Sequence, residues 1–158
     1  MFLFLRSVLV FLLLSAFLVS PVKSEGIEVS AWSRATPPGG ATGAIYGRIA
    51  NNQNHSVGLV SVEVGFAQHA MIHETEIKKD GVARMRHGSL VIPAAGSVLL
   101  EPGSTHIMLI GLSLELSPGC RYPFRMTWSD GSSSDHDFLT GELGQMFPPD
   151  PAFHQACL

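Results

Sequence analysis

The chain has 158 residues, a formal charge of −3 and 46% hydrophobic residues, which suits one globular domain with its own core. Its ten Lys and Arg are not clustered, which argues against nucleic acid as a partner. No glycine loop of the nucleotide-binding kind and no internal repeat is present.

The first segment, "MFLFLRSVLVFLLLSAFLVSPVKSEG", has Arg6 as its positive start and an apolar run of 14 residues from Ser7 to Ser20. Val22 and Ser24 occupy the small-residue positions before a cut at Glu25. That layout predicts a secretory signal peptide over residues 1–24. The run is shorter than the roughly 20 apolar residues of a membrane span. An uncleaved N-terminal anchor is the alternative. No cysteine lies near the cut, which argues against a lipoprotein. Removing Arg6 and Lys23 leaves a mature chain of 134 residues with a charge of −5.

"RATPPGGATGA", Arg34 to Ala44, reads as an irregular lead-in. Strand signals follow. "AIYGRIAN" is the first. "GLVSVEVGF" alternates, with Val60, Val62, Val64 and Phe66 on one face. "AMIHETEI" and "VARMRHG" flank Lys79-Asp80-Gly81. "SVLLEPG", "HIMLIGLSLEL", "YPFRMTWSDG" and "DHDFLTGEL" complete the series. Seven or eight short strands between Gly, Pro and Asp turns predict an all-β fold, an antiparallel sandwich. No stretch has a helical period of helix length. The sandwich is expected over residues 25–144. From Gln145 the chain becomes "QMFPPDPAFHQACL", whose prolines predict an irregular tail over 145–158.

Cys120 and Cys157 are the only cysteines. In an exported chain two cysteines favour a disulfide, here one that ties the tail back to "SPGC". A thiol metal or redox site is the other reading, but there is no C-x-x-C.

The hairpin around Lys79-Asp80-Gly81 holds the first chemistry. A three-residue loop with a left-handed Gly81 sets Thr75 opposite Met85 and His73 opposite His87. His73, Met85 and His87 then share a face. A two-residue Asp-Gly turn would shift the register by one and separate His73 from Met85. The sequence leaves both turns open. Further on, His106 and Met108 are i and i+2, so they point the same way on a strand.

A thioether is a neutral, soft donor. It binds Zn(II), Mg(II) or Ca(II) poorly and suits Cu(I), while imidazole tolerates both copper states. Two Met and two His without an anionic ligand make a site for a soft monovalent ion. Blue-copper electron transfer needs a Cys thiolate, and neither Cys lies near this set. Taken singly, each of these residues is more often structural, since Met commonly fills cores. Met71, Met126 and Met146 read as core or tail residues, and His55, His69 and His136 as surface or turn residues. His73, Met85, His106 and Met108 set together raise copper to an equal alternative.

The string His73-x11-Met85-x20-His106-x-Met108 resembles the signature of the periplasmic PCuAC-type copper chaperones. The flanks "RATPPGGATGAIYGRIAN", the Asp-Gly turn before Met85 and "IPAAGSVLLEPGSTHIMLIGL" are also similar, and the likeness runs from Val29 to Thr140. It implies a cupredoxin-like Greek-key sandwich and a Cu(I) site partly open at one end, with His73, Met85, His106 and Met108 as ligands. It implies a periplasmic, monomeric carrier without turnover. Its partners would be the CuA subunit of cytochrome c oxidase or another periplasmic copper protein. Glu74 stands where many members have a second Met, and the second spacer is one residue short. The cysteine pair is not a family feature. Some members carry a His/Met-rich tail that takes Cu(II); here Met146 and His154 alone could form such a weak second site.

Two other classes compete. A metal-free extracytoplasmic β-sandwich interaction module would use the same strands and treat the His/Met set as structural. A copper enzyme would want a His-rich or Cys-containing site with an open coordination position, and the sequence shows no tight His cluster and no acid/base dyad.

Overall fold

A computed structural model of the chain describes residues 26–77, 83–153 and Cys157, without the side chains of 75–77 and 83–87. The expected signal segment, the Lys79-Asp80-Gly81 loop and His154 lie outside the described residues.

Ten strands form, and no helix occurs among the described residues. They are β1 (Ile27–Arg34), β2 (Thr42–Asn51), β3 (Val57–Glu63), β4 (His69–Ile77), β5 (Ala83–His87), β6 (Leu90–Ile92), β7 (Ser97–Leu100), β8 (His106–Ile110), β9 (Arg121–Trp128) and β10 (Ser133–Gly141). They make one continuous sheet in the order β5-β4-β8-β2-β1-β10-β9-β3-β6. β2 is long enough to take two partners on one edge, β8 along residues 42–45 and β7 along 47–50. Gly47 marks the change-over, with φ at +142°. A Cβ there would run into the carbonyl oxygen of Ser30, so only glycine fits.

The sheet folds over on itself. Ile45, Ile49, Ile107, Leu109, Phe124, Met126, Trp128 and Phe138 form a buried centre. Ala70 and Ile72 of β4 pack on the same cluster as Val62 of β3, so the two arms of the sheet face each other. The expected all-β, cupredoxin-like sandwich is therefore what forms. One pair departs from the antiparallel pattern: β1 runs parallel to β10, with Trp32 beside Leu139.

Two strands form beyond the expected eight, β1 and the three-residue β6. The strand signal "HIMLIGLSLEL" ends early, at Ile110, because Gly111 turns left-handed at φ +69°. The face expected for Val60 is also corrected. The pairing of β3 with β9 slips between Leu59 and Ser61. That bulge puts Leu59 and Val62 both inside and leaves Val60 66% exposed.

Cys120 and Cys157 are joined in a disulfide, Cα to Cα 5.6 Å, as expected for an exported chain. The tail also docks through Arg34. Its Nε donates to the carbonyl of Gln145 at 2.5 Å, and its Nη2 lies 2.7 Å from the Sδ of Met146.

Candidate metal centre

Strand β8, "HIMLI", divides its residues between two environments. Ile107 and Leu109 point inward and are fully buried. His106 and Met108 therefore point to the outer face. The register with β4 sets His73 opposite His106 and Met71 opposite Met108. The register with β5 sets His73 opposite His87 and Thr75 opposite Met85. In pleat parity, positions 71, 73, 85, 106 and 108 all belong to this one side of the sheet.

The β4/β5 register is the one a three-residue loop demands, and it excludes the two-residue turn that would have divided His73 from Met85. The backbone positions of Met85 and His87 are thus fixed, while their side chains lie outside the described residues. His106 and Met108 fall on one strand and one face, as i and i+2 spacing predicts.

The imidazoles are close and oriented. The ring centres of His73 and His106 are 5.9 Å apart, nearly edge to face. His106 is only 5% exposed, and its Nδ1 lies 2.9 Å from the carbonyl oxygen of Ser104. A carbonyl can only accept, so Nδ1 carries the hydrogen, and in the neutral ring the lone pair is then on Nε2. This is the arrangement by which a protein fixes the tautomer of a ligating histidine. The loop before β8 makes this bond because Glu101 N–H donates to the Thr105 carbonyl and Ser104 N–H to the Glu101 carbonyl, folding the chain tightly at Pro102-Gly103. Gly103 takes φ +81° there.

An aromatic row supports His106 from the side. Trp32 and Tyr46 are paired across β1 and β2, with ring centres 4.9 Å apart, and Tyr46 lies 6.0 Å from His106. Arg34 stacks over Tyr46 at 5.4 Å. Burial raises the Tyr46 phenol above its ordinary range, and the Arg34 charge partly offsets this. A cleft of about 350 Å³ lies between this row and the site, lined by Arg34, Thr42, Tyr46, Gly103, His106 and Met108. It opens beside Met108 and His106. A larger cavity of about 550 Å³ sits elsewhere, around Val62, Phe124, Arg125 and His136, and contains no thioether. Its size does not make it the site, because the soft donors are not there.

Four of the other assignments hold. Met126 is fully buried between Phe124 and Trp128, Met146 lies exposed in the tail, and His55 and His69 are exposed, the first of them in a turn. His136 is half-buried on β10, not on the surface, and Met71 is not a core residue. It is partly exposed, opposite Met108, while its neighbours Ala70 and Ile72 pack on the core. Sequence spacing missed Met71 because the signal needed was the pairing of β4 with β8. Among the described residues, no three His, Cys, Asp or Glu side chains gather as they would for Zn(II) or Ca(II). The donors on this face are imidazoles and thioethers, which fit a cuprous ion.

Comparisons with known proteins agree with this architecture. A family described as putative lipoprotein LpqE-like matches residues 29–138. The putative lipoprotein Lxx21020 of Leifsonia xyli subsp. xyli is 32% identical over 115 residues, covering 71% of this chain and 68% of the relative. Among solved structures, the apo PCuAC domain from PmoF1 superposes with a TM-score of 0.63 at 20% identity, over 73% of this chain and 93% of that one. The Cu(I) form of DR1885 from Deinococcus radiodurans superposes at 0.58 with 26% identity, over 72% of this chain and 76% of that one.

Proposed function

Since the chain belongs to the LpqE-like family and is built as PCuAC domains are, we propose that it is an exported copper chaperone. It takes one Cu(I) on the outer face of the β5-β4-β8 arm, through His73, Met85, His106 and Met108. It hands the ion to an acceptor, for which the CuA site of cytochrome c oxidase is the intended destination. The protein is a carrier and performs no turnover.

The observation that carries this reading is the cross-strand His73–His106 pair, with the Nδ1 of His106 committed to Ser104. A buried ring held in one tautomer with its other nitrogen directed away from that bond is prepared for a ligand. Soft thioethers beside it select Cu(I) over harder ions, and the absence of an anionic ligand keeps the ion transferable. The family likeness adds a relative that holds Cu(I), DR1885.

Export is part of the proposal. Residues 1–24 would direct the chain out of the cytoplasm and be removed before Glu25, leaving the sandwich of 25–144 and its tail. The related sequence is described as a lipoprotein. Within these 158 residues the first cysteine is Cys120, which the disulfide uses.

The test is Cu(I) titration against a competing chelator, with X-ray absorption on the loaded protein. The parent should bind one ion with sulfur and nitrogen neighbours. Met85→Leu and Met108→Leu should each weaken binding about tenfold or more, near 1.4 kcal/mol. Their unfolding free energies should fall by less than about 1.5 kcal/mol, because Met to Leu conserves volume. A parent that stays metal-free under these conditions sinks the proposal and leaves a metal-free interaction module.

A further inference from the structure

We propose that Met71 is an additional thioether ligand of the copper site, so that the ion meets a Met71–Met108 sulfur pair directly beside the His73–His106 nitrogen pair. The inference rests on the Cu(I) reading above and extends its ligand set.

The register carries it. Met71 lies opposite Met108, and His73 opposite His106, in adjacent steps of one antiparallel ladder. Directly opposed residues have Cβ atoms about 5 Å apart. Residues two apart on a strand are separated by about 6.6 Å. The four side chains therefore form a two-by-two block on one face, within reach of a single ion. Met85 is placed less favourably. It stands opposite Thr75, so it meets His73 only on the diagonal, at roughly 7–8 Å, and a whole strand lies between it and Met108. By backbone position alone, Met71 is the nearer sulfur to Met108.

Burial points the same way. A methionine that served only as filler would sit with the core, yet the core contacts belong to Ala70 and Ile72. Along β4 the outer-face residues with described side chains are His69, Met71 and His73, and His69 at the outer end is exposed. Across the block, exposure increases from His106 to the partly exposed His73, Met71 and Met108, and then to His69. The sulfur pair thus lies between the buried imidazole and solvent. Cu(I) accepts three or four soft donors without strong geometric demands. Three thioethers around two imidazoles would let it exchange Met85 for Met71 as an acceptor's ligand approaches, one donor at a time.

The experiment uses the full chain and the metal alone. Cu(I) affinity is measured by chelator competition and sulfur neighbours are counted by X-ray absorption, for the parent, Met71→Leu, Met108→Leu and Met71→Leu/Met85→Leu. Met71→Leu is expected to bind at least tenfold more weakly with fewer sulfur neighbours, and the double variant more weakly still. Thermal unfolding confirms that each variant is folded, and Met71→Thr, which suits a strand, replaces the leucine if it disturbs the fold. Should Met71→Leu match the parent in affinity and sulfur count while Met108→Leu does not, Met71 is no ligand and the four-residue site stands. A parent without sulfur-bound copper overturns both.

Discussion

The two sides of strand β8 are five consecutive residues under opposite demands. Ile107 and Leu109 face a closed interior and are fully buried, where shape and volume decide what fits. His106 and Met108 face outward into a cleft, where lone pairs decide. The inner side is redundant in chemistry, since many apolar residues share the load. The outer side is not, because each donor is a single atom. Alternation in a strand lets one short segment anchor the sandwich and present a site without either role disturbing the other.

That division can be broken most forcefully from inside. Ile107→Ala should cost about 2–5 kcal/mol of unfolding free energy, as large-to-small changes in a closed core do. The fraction that remains folded should still bind Cu(I) with parental stoichiometry. Denaturant unfolding with a copper titration checks both halves, and a parallel loss of binding in the folded fraction would mean the two faces are coupled.

A milder test concerns His136, a polar ring on an inward position of β10. Burial lowers its pKa from 6.5, against the pull of Asp135 and Asp137. The fold therefore prefers the neutral ring. Above the unfolded value the ring is neutral in both states and stability is at its full level. As pH falls below about 6.5, the unfolded chain takes the proton more readily and stability declines. Replacing it, as His136→Asn, should flatten that part of the stability curve, read from unfolding midpoints at pH 7.5 and 5.5.

The smallest effect sharpens the boundary between the faces. Val60 belongs to an alternating run, yet the bulge at 59–61 turns it out to 66% exposure. Val60→Thr should change stability by no more than about 0.5 kcal/mol. A cost above 1.5 kcal/mol would put Val60 back inside.

Much of this was legible in the residues. Turn chemistry at Lys79-Asp80-Gly81 narrowed the β4/β5 pairing to two registers, and the observed one is that of the three-residue loop. The spacing of His106 and Met108 gave their common face. What could not be read depended on partners far along the chain. β1 pairs in parallel with β10, more than a hundred residues away, so its place in the sheet has no local signal. The bulge in β3 arises from its fit to β9 and leaves no local mark. Met71 acquires meaning only when β8 lies beside β4.

The Cys120–Cys157 bond has an effect beyond tethering the tail. An anionic thiolate is a stronger cuprous donor than any thioether, and these two sulfurs are the chain's whole supply. Oxidised to one another, they are withdrawn from the competition for metal. On the proposed Cu(I) reading, a reduced form of the same polypeptide would add a tight thiolate sink to the thioether site, whereas the bonded form leaves the ion on exchangeable donors.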